Sequence, residues 1–512
     1  MIPWLAPLLL LASATAPPSR VVIVVGYNGG APDERPALSF ADDDAARLFL
    51  ELAPGATRAW LLTTFDKESS RRFGDLTDIA RAPTKQALAG ALGEAFWVVR
   101  QEKERGRATE LVFAFAGHGD VDDGGQGFVV FADGAFSRRD LAQQVLTPSP
   151  ADVNHVIVDA CSSYFFVKSR GGDDTGVPLT PLLLNALHDE LPAAVAARTG
   201  VIVSTSQAAE VHESRALSSG VFSYLLRSAL AGGGYIDHVG RIEYGEAAAF
   251  VAAATAGLDD PRTRLRIFAE APLQRPHSAL ADLRGGADVA YLAVDEADHV
   301  RLLDPLGLPW AEVNAGGPLY LALRGQPFFT VQRLRGDVVE EALLAPRGGG
   351  AWALSSLDFV TVPAVARGAA GPFTSLFAAP LDDDFARGFW SSTTTAAGPA
   401  AGNAPFVAVW VPGRQPPARV DLGTVGVGVI GGAAAVGVGA AAALVGNQLA
   451  FAALETSFQQ TGQLDPAKSI EVERWRNTAT ALTVGSLGLG LVGGTLLAWS
   501  LTLEDGELVL PW

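Results

Sequence analysis

Leu111-Val-Phe-Ala-Phe-Ala-Gly-His-Gly-Asp120 and His155-Val-Ile-Val-Asp-Ala-Cys-Ser-Ser163 are the two segments that decide the fold. Each contains an unbroken apolar run that is followed directly by polar residues. Such runs, without alternation, predict parallel strands that are covered on both faces. The polar residues then fall at the carboxyl ends of the strands, which is the edge of an open α/β sheet where ligands bind. The two segments therefore predict an α/β domain with a site at His118 and Cys161.

The pairing of a histidine with the chain's single cysteine indicates nucleophilic chemistry. Cys161 is the only cysteine in 512 residues. A nearby imidazolium lowers the pKa of a thiol and so favours the nucleophilic thiolate. Taken alone, a lone cysteine is usually a small buried apolar residue, and a lone histidine is usually a hydrogen-bonded one. Because His118 and Cys161 both follow predicted strands, the pattern favours a cysteine hydrolase.

Several blocks of the sequence resemble the caspase and metacaspase superfamily of cysteine peptidases. Ala116-Gly-His-Gly-Asp120 and Val158-Asp-Ala-Cys-Ser-Ser163 resemble its two signature blocks. Further similar blocks, in the same order, are Arg20-Val-Val-Ile-Val-Val-Gly26, Leu38-Ser-Phe-Ala-Asp-Asp-Asp-Ala45, Phe128-Val-Val-Phe-Ala-Asp133 and Ser218-Ser-Gly-Val-Phe-Ser-Tyr-Leu-Leu226. The resemblance covers roughly residues 20–255. It implies a three-layer α/β/α catalytic domain over 17–270.

The resemblance also implies roles for individual residues. Cys161 is expected to be the nucleophile and His118 the general acid and base, with the backbone N–H groups of Gly119 and Cys161 as the oxyanion hole. Asp159 occupies the position where metacaspases carry an acid that binds the substrate residue before the cut, and Asp44 is a second pocket acid by the same analogy. A carboxylate there favours Arg or Lys in the substrate. The alternative is that Asp159 and Asp44 cap turns or helices.

The chain departs from the family at Tyr164, three residues after the expected nucleophile, where metacaspases have glycine. We therefore expect the loop after Cys161 to differ from the family's. No nucleotide-binding or zinc-binding motif is present, because the glycines lack the required spacing and a single cysteine cannot form a paired-cysteine zinc site. We expect no cofactor and no metal ligand set. Some members of the family need calcium, so the resemblance leaves calcium open without indicating its ligands.

Composition indicates the partners. The net charge of −17, from 38 basic and 55 acidic residues, argues against nucleic acid, which would require a basic surface. An acidic surface favours a basic protein or peptide substrate. Residues 1–16 form an apolar run that ends in Ala-x-Ala and resemble a secretory signal peptide, although no basic residue precedes the run. The alternative is a short uncleaved anchor.

The carboxyl-terminal region predicts a membrane anchor. Residues 422–446 and 478–502 are uncharged and long enough to cross a bilayer, and their glycines stand at GxxxG spacing, which lets two helices pack closely. The basic residues of the connecting loop, 451–476, indicate that the loop is cytoplasmic. The catalytic domain would then be periplasmic, in a bacterial inner membrane. The alternative is a pair of buried helices in a soluble domain.

The middle of the chain predicts a smaller β-rich region. Short apolar runs separated by glycine and proline extend over 274–377 and are typical of a small sandwich or barrel. Residues 378–418 are rich in Ala, Pro, Gly and Thr and predict a linker with little fixed structure, apart from the apolar run 406–411.

The sequence thus favours a membrane-anchored, caspase-like cysteine endopeptidase that cuts after Arg or Lys. The alternative from another class is a catalytically inactive membrane scaffold or signalling protein that keeps the fold. A third hypothesis, a pore-forming effector with an inserting glycine-rich hairpin, has the least support. Retention of both His118 and Cys161 argues against the scaffold, whereas Tyr164 leaves room for it.

Overall fold

The structure is a computed structural model. It describes residues 17–29, 36–122, 126–160, 187, 190–205, 213–234, 240–258, 266–283, 289–294, 298–336, 338–346, 350–362, 373, 375–395 and 407–410. The chain divides into two compact units, Met1–Pro416 and Pro417–Trp512, and all described residues belong to the first. Cys161, the predicted signal peptide at 1–16 and the predicted membrane hairpin at 422–446 and 478–502 lie outside the described residues.

The strands and helices are numbered along the chain. The strands are β1 (Ser19–Tyr27), β2 (Arg58–Thr63), β3 (Thr109–Gly117), β4 (Gly119–Val121), β5 (Gly127–Phe131), β6 (Gly134–Ser137), β7 (Val153–Ala160), β8 (Thr199–Thr205), β9 (Glu213–Ser214), β10 (Ser219–Gly220), β11 (Arg241–Glu243), β12 (Arg266–Glu270), β13 (Ala279–Asp282), β14 (Ala290–Val294), β15 (His299–Leu303), β16 (Pro309–Asn314), β17 (Leu319–Leu323), β18 (Phe329–Arg335), β19 (Val338–Leu344), β20 (Gly350–Ala353), β21 (Val360–Val362) and β22 (Val407–Trp410). The α-helices are α1 (Ala41–Leu52), α2 (Lys67–Arg72), α3 (Gly74–Thr77), α4 (Lys85–Glu104), α5 (Arg138–Asp140), α6 (Ala193–Ala196), α7 (Val221–Ser228), α8 (Tyr244–Thr255) and α9 (Asp383–Thr395). Short π-helical turns extend α5 over Leu141–Leu146 and α7 over Ala229–Gly233, and a 3₁₀ turn spans Leu354–Ser356.

A mostly parallel sheet forms the centre of the fold. Its strand order is β2-β1-β3-β7-β8-β12-β22, in which neighbours from β2 to β8 are parallel and β12 runs antiparallel to β8. Crossovers between parallel strands place helices on the faces of a sheet. The prediction of a mixed α/β fold is therefore confirmed at this level.

The central strands contain unbroken apolar runs, such as 111–116 of β3, because both of their faces are buried. All nine residues of β3 are buried. Alternate residues of one strand enter two different hydrophobic clusters, as Val112 and Ala114 do on one face and Leu111, Phe113 and Phe115 on the other. Helices α1, α7 and α8 cover the first face, and α4 covers the second. The carboxyl ends of β3 and β7 therefore lie at an edge with packed helices on both sides.

The β-rich segment is 279–362, and it packs into the first of these clusters. Its first strand, β13, pairs with β11, and its other strands form a five-stranded sheet in the order β16-β15-β18-β19-β21 and a three-stranded sheet in the order β17-β14-β20. Trp310, Leu321 and Phe329 belong to the same cluster as Val22 and Phe222 of the main fold. The β-rich segment and the α/β fold thus share one hydrophobic core.

Within the expected linker, 378–418, a helix forms at 383–395, outside the apolar run 406–411 that the expectation excepted. This segment contains α9 and β22, and β22 extends the central sheet by pairing in parallel with β12. Trp390 of α9 is buried and donates a 3.2 Å hydrogen bond from its Nε1 to the Gly245 carbonyl. Burial of this side chain against α8 gives α9 a tertiary partner that composition does not reveal. In the described part of the chain, no helix has the length and apolar character that a membrane span needs.

Candidate active site

His118 follows Gly117, the last residue of β3, whose backbone conformation and close neighbours suit only glycine. Gly117 has φ of 156°, and a Cβ at this position would lie 2.8 Å from Cζ of Phe115 and 3.0 Å from the carbonyl oxygen of Tyr27. Both contacts are closer than carbon atoms normally approach their neighbours. Gly117 therefore turns the chain out of the sheet and delivers His118 at the edge.

The imidazole of His118 is buried and held by the main chain. Its Nε2 lies 3.0 Å from the carbonyl oxygen of Pro36, and only 2% of the residue is exposed. A carbonyl oxygen only accepts, so Nε2 carries the hydrogen in this bond. In the neutral ring Nδ1 is then the basic nitrogen. The Pro36 carbonyl thus fixes both the tautomer and the direction of the ring.

The register between β3 and β7 brings the second signature block beside the first. Ala116 pairs with Asp159, and Gly117 pairs with Ala160. Ala160 is the last residue of β7, and Cys161, its covalent neighbour, lies outside the described residues. β3 and β7 thus end at paired residues, and each strand is followed in the sequence by one member of the predicted dyad.

Two carboxylates converge on the backbone of Gly220. Gly220 donates its N–H to Oδ2 of Asp44 at 2.7 Å, and Ser219 donates its hydroxyl to the other oxygen of Asp44. A Cβ on Gly220 would lie 3.0 Å from Oδ2 of Asp159 and 3.1 Å from Oδ2 of Asp44. We call these two side chains, with the Ser219-Gly220 backbone, the acid pocket. The structure thus brings together the two acids that the family resemblance singled out.

Asp159 is held by serines on two other elements. Its Oδ1 accepts from Ser204 at 3.0 Å, and its Oδ2 accepts from the hydroxyl and the backbone N–H of Ser223 at 2.5 and 3.1 Å. Because Ser223 lies in the first turn of α7, Asp159 also caps that helix. The capping interpretation therefore accounts for the bond to the Ser223 backbone, while Oδ2 of Asp159 also faces Gly220.

Asp44 does not cap the helix that contains it. The first amides of α1, those of Ala41 and Asp42, donate to Oδ1 of Asn28. The amides just before the helix, at 39 and 40, donate to the Glu213 carboxylate. Of the preceding two acids, Asp42 is bonded to Asn28 and does not belong to the acid pocket. Asp43 forms a buried 2.8 Å salt bridge with Arg72. Within the Asp-Asp-Asp run, the third carboxylate is thus the one that reaches Gly220.

Burial favours the neutral, protonated forms of the two carboxyl groups in the acid pocket. Desolvation raises the pKa of Asp44 to about 7, although Arg227 and the Ser219 hydroxyl act in the opposite direction. Burial also raises the pKa of Asp159, against the hydrogen bonds from Ser223 and Ser204. A cation entering such a site gains from pairing with both carboxylates and offsets their desolvation. The acid pocket is therefore suited to a positively charged ligand.

Gly119 begins β4, next to the histidine, and pairs with Val129 in the antiparallel sheet β4-β5-β6. β5 and β6 form a hairpin, and this hairpin contains the block 128–133. Among the described residues, no group of three or more His, Cys, Asp and Glu side chains is arranged to hold a metal ion.

The sequence did not reveal the residues that support the acids. Ser204, Ser219 and Ser223 orient the carboxylates, and Arg227 lies behind Ser219. One feature of the sequence indicated a role for Arg227: it is the single charged residue of α7, and a charge in a buried helix requires a partner.

Comparison with known proteins does not identify the chain. No protein-family model matches it, and no curated protein matches it significantly. Among solved structures, it is similar to protein GSU0716 from Geobacter sulfurreducens, with 14% sequence identity and a TM-score of 0.23, over 41% of this chain and 81% of that one. This similarity is too low to support a conclusion about fold or activity.

Proposed function

We propose that the protein is a membrane-anchored, caspase-like cysteine endopeptidase that cuts after Arg or Lys. The observation that carries the proposal is the register of β3 with β7. Ala160, bonded to Cys161, pairs with Gly117, which is bonded to His118. Consecutive Cα atoms are only about 3.8 Å apart, so covalent geometry keeps the two residues at one edge of the sheet. Helices on both faces of that sheet support the three-layer form of the fold.

In the proposed reaction, Nδ1 of His118 takes the thiol proton, and the Cys161 thiolate attacks the carbonyl carbon of the peptide bond. The resulting oxyanion is bound by the backbone N–H groups of Gly119 and Cys161. The imidazolium donates its proton to the leaving amine as the C–N bond breaks, which leaves a thioester. Water, deprotonated by His118, then hydrolyses the thioester and restores the dyad.

The acid pocket supports the preference for a basic residue. Asp159 lies on β7 two residues before Cys161, so a substrate bound at the nucleophile can extend one side chain toward Asp159 and Asp44. A guanidinium or ammonium group there would form charge-assisted hydrogen bonds in a desolvated site. A neutral or acidic side chain would give the buried Asp159 carboxylate no opposite charge, and Asp44 would keep only the neighbouring arginines Arg227 and Arg47, so a basic side chain is favoured.

The membrane anchor and the location remain part of the proposal. The hairpin formed by 422–446 and 478–502 would hold the protein in a bacterial inner membrane, with the catalytic domain on the periplasmic side.

The test is hydrolysis of a peptide panel by the full-length protein in detergent. The peptides differ only in the residue before the scissile bond, which is Arg, Lys, Asn, Gln or Asp, and each is assayed with and without calcium. We expect cleavage of the Arg and Lys peptides, and its loss in Cys161→Ala. A folded wild-type protein that cleaves no peptide would reject the peptidase and favour the inactive scaffold.

Specificity is tested with a matched pair of acid variants. Asp159→Asn is expected to lower kcat/KM for Arg peptides on the order of 10²- to 10³-fold, because one partner of a buried charge pair is lost. Asp43→Asn removes a neighbouring buried acid that pairs with Arg72 instead of facing Gly220. We expect it to preserve the ratio of kcat/KM between Arg and Gln peptides. An equal loss of that ratio in both variants would contradict the assignment of the acid pocket.

A further inference from the structure

Helix α7, which begins at the acid pocket, is fastened to β16 of the β-rich segment by buried polar contacts. Arg227 donates from Nη1 to the Trp310 carbonyl at 2.9 Å. Tyr224 donates its hydroxyl to Oε2 of Glu312 at 2.9 Å, and the backbone N–H of Glu312 donates to Oγ of Ser228 at 3.1 Å. These contacts are specific in direction and position, so β16 determines where α7 lies.

Arg227 extends the connection from β16 to the acid pocket. Its second nitrogen, Nη2, donates to Oγ of Ser219 at 3.2 Å, and Ser219 donates its hydroxyl to Asp44. The guanidinium also packs over the ring of Tyr224, with 5.7 Å from Cζ to the ring centre. Only 1% of Arg227 is exposed. A continuous set of hydrogen bonds thus joins the main chain of β16 to the carboxylate of Asp44.

We infer that Arg227 is a positioning residue of the acid pocket: β16 holds one nitrogen of its guanidinium, and the other nitrogen fixes Ser219 and, through it, the Asp44 carboxylate. The inference rests on the proposed function, in which the acid pocket binds a basic substrate residue. It assigns the β-rich segment a part in substrate specificity. A spacer or an independent binding module would not need a buried guanidinium shared with the pocket.

The charges around Asp44 are consistent with this role. Arg227 on α7 and Arg47 on α1 are the arginines that act on Asp44, whereas Asp159 on β7 opposes its ionisation. Burial, and to a smaller extent the charge of Asp159, raises the pKa of Glu213 on β9. Burial, followed by the neighbouring Arg47, lowers the pKa of Arg227 to about 10, so its guanidinium stays charged at neutral pH. Loss of that charge leaves Asp44 harder to ionise.

The first experiment measures the ionisation of Asp44 without requiring peptidase activity. Urea unfolding of the full-length protein is recorded from pH 5 to 9 for the wild type and Arg227→Gln, each with and without Asp44→Asn. The difference in unfolding free energy between each parent and its Asp44→Asn partner stops changing with pH at the pKa of Asp44, and we call this pH the levelling point. We expect this point to lie near pH 7 in the wild type and at least about one unit higher in Arg227→Gln.

Matched variants separate positioning from general structural support. Arg324→Gln removes a second buried arginine, which bonds to the main chain of Glu51 and Asp282 and pairs with the Glu51 carboxylate at 3.8 Å, whereas the hydrogen bond to Ser219 comes from Arg227. We expect it to lower stability and to leave the levelling point near pH 7. Arg227→Met, of similar length and without polar atoms, is the second variant if Arg227→Gln does not fold. Arg227→Lys restores the charge and is expected to return the point toward pH 7.

The second experiment uses the proposed activity. Arg227→Gln is expected to raise KM for Arg peptides about tenfold with little change in kcat, because Asp44 is ionised less at neutral pH. Absence of cleavage in the wild type would reject the proposed function, while the unfolding experiment still decides the role of Arg227. An unchanged levelling point in both Arg227→Gln and Arg227→Met would overturn the inference. So would an equal shift in Arg324→Gln.

Discussion

Replacing Asp44 by asparagine should make the protein more stable above neutral pH while weakening its pocket. Asp44 is 3% exposed, and its pKa is raised from 3.8 to about 7. The folded state therefore binds a proton that the unfolded state has already released. A raised acid pKa lowers stability as pH rises from the unfolded toward the folded value. Asparagine carries no charge and escapes this loss.

The expected size follows from the pKa difference. At pH 5 the Asp44 carboxyl is ionised in the unfolded chain and largely protonated in the folded one, and at pH 8 it is ionised in both. The loss per pH unit is about 1.4 kcal/mol, and it applies from pH 5 up to about 7. The gap in unfolding free energy between Asp44→Asn and the wild type should therefore widen by about 3 kcal/mol between pH 5 and 8.

The assay is urea unfolding of both proteins, followed by tryptophan fluorescence. Asp43 and Glu270, whose burial raises their pKa values to about 6 and about 7, titrate in the same range. They are present in both proteins, so their contributions cancel in the gap. A gap that stays constant within about 0.5 kcal/mol from pH 5 to 8 would refute the reasoning, because a desolvated carboxylate must produce the widening.

Three further changes test other parts of the structure. Glu110→Gln should make the free energy of unfolding less dependent on pH in acid. Burial opposes ionisation of Glu110, yet Arg20 and His155 outweigh it and lower its pKa to about 2. The wild type should therefore lose about 3 kcal/mol of the stability present above pH 5 as the pH falls to 2, and urea unfolding measures this loss. Gly220→Ala should fold normally, because its φ of −61° suits alanine. The added Cβ would crowd both pocket acids and should lower kcat/KM for Arg peptides at least about tenfold. Unchanged kinetics would contradict the pocket geometry. Gly117→Ala should destabilise the protein by about 1–3 kcal/mol in thermal or urea unfolding, because φ of 156° and the close contact with Phe115 cannot accommodate a side chain.

Sequence alone could predict the parts of the fold whose environment is set locally. β1, β3 and β7 each contain an unbroken apolar run, at 21–25, 111–116 and 156–158, because both faces of the sheet are covered there, and such runs predict buried parallel strands. The polar residues after β3 and β7 had to lie at one edge once the strands were parallel. The positions of His118 and Asp159 relative to each other follow from that topology.

The rest depends on contacts between distant residues that no local pattern encodes. The approach of Asp44 to Gly220 joins positions 176 residues apart, and the bond from Arg227 to Trp310 joins positions 83 apart. The packing of the β-rich strands into the main core likewise depends on which apolar faces meet. Composition suggested a linker where α9 forms because Trp390 has a buried partner on α8.

The bond between Arg227 and Trp310 sets an order of events during synthesis. Arg227 leaves the ribosome 83 residues before the strand that holds it. At about 5–20 residues per second, that distance takes roughly 4 to 17 seconds to translate. Throughout this interval the nascent chain already carries His118, Cys161 and both pocket acids, but it lacks the carbonyl that fixes Arg227. The growing polypeptide therefore cannot complete its acid pocket before β16 has been made, which delays maturation of the pocket until most of the first compact unit exists.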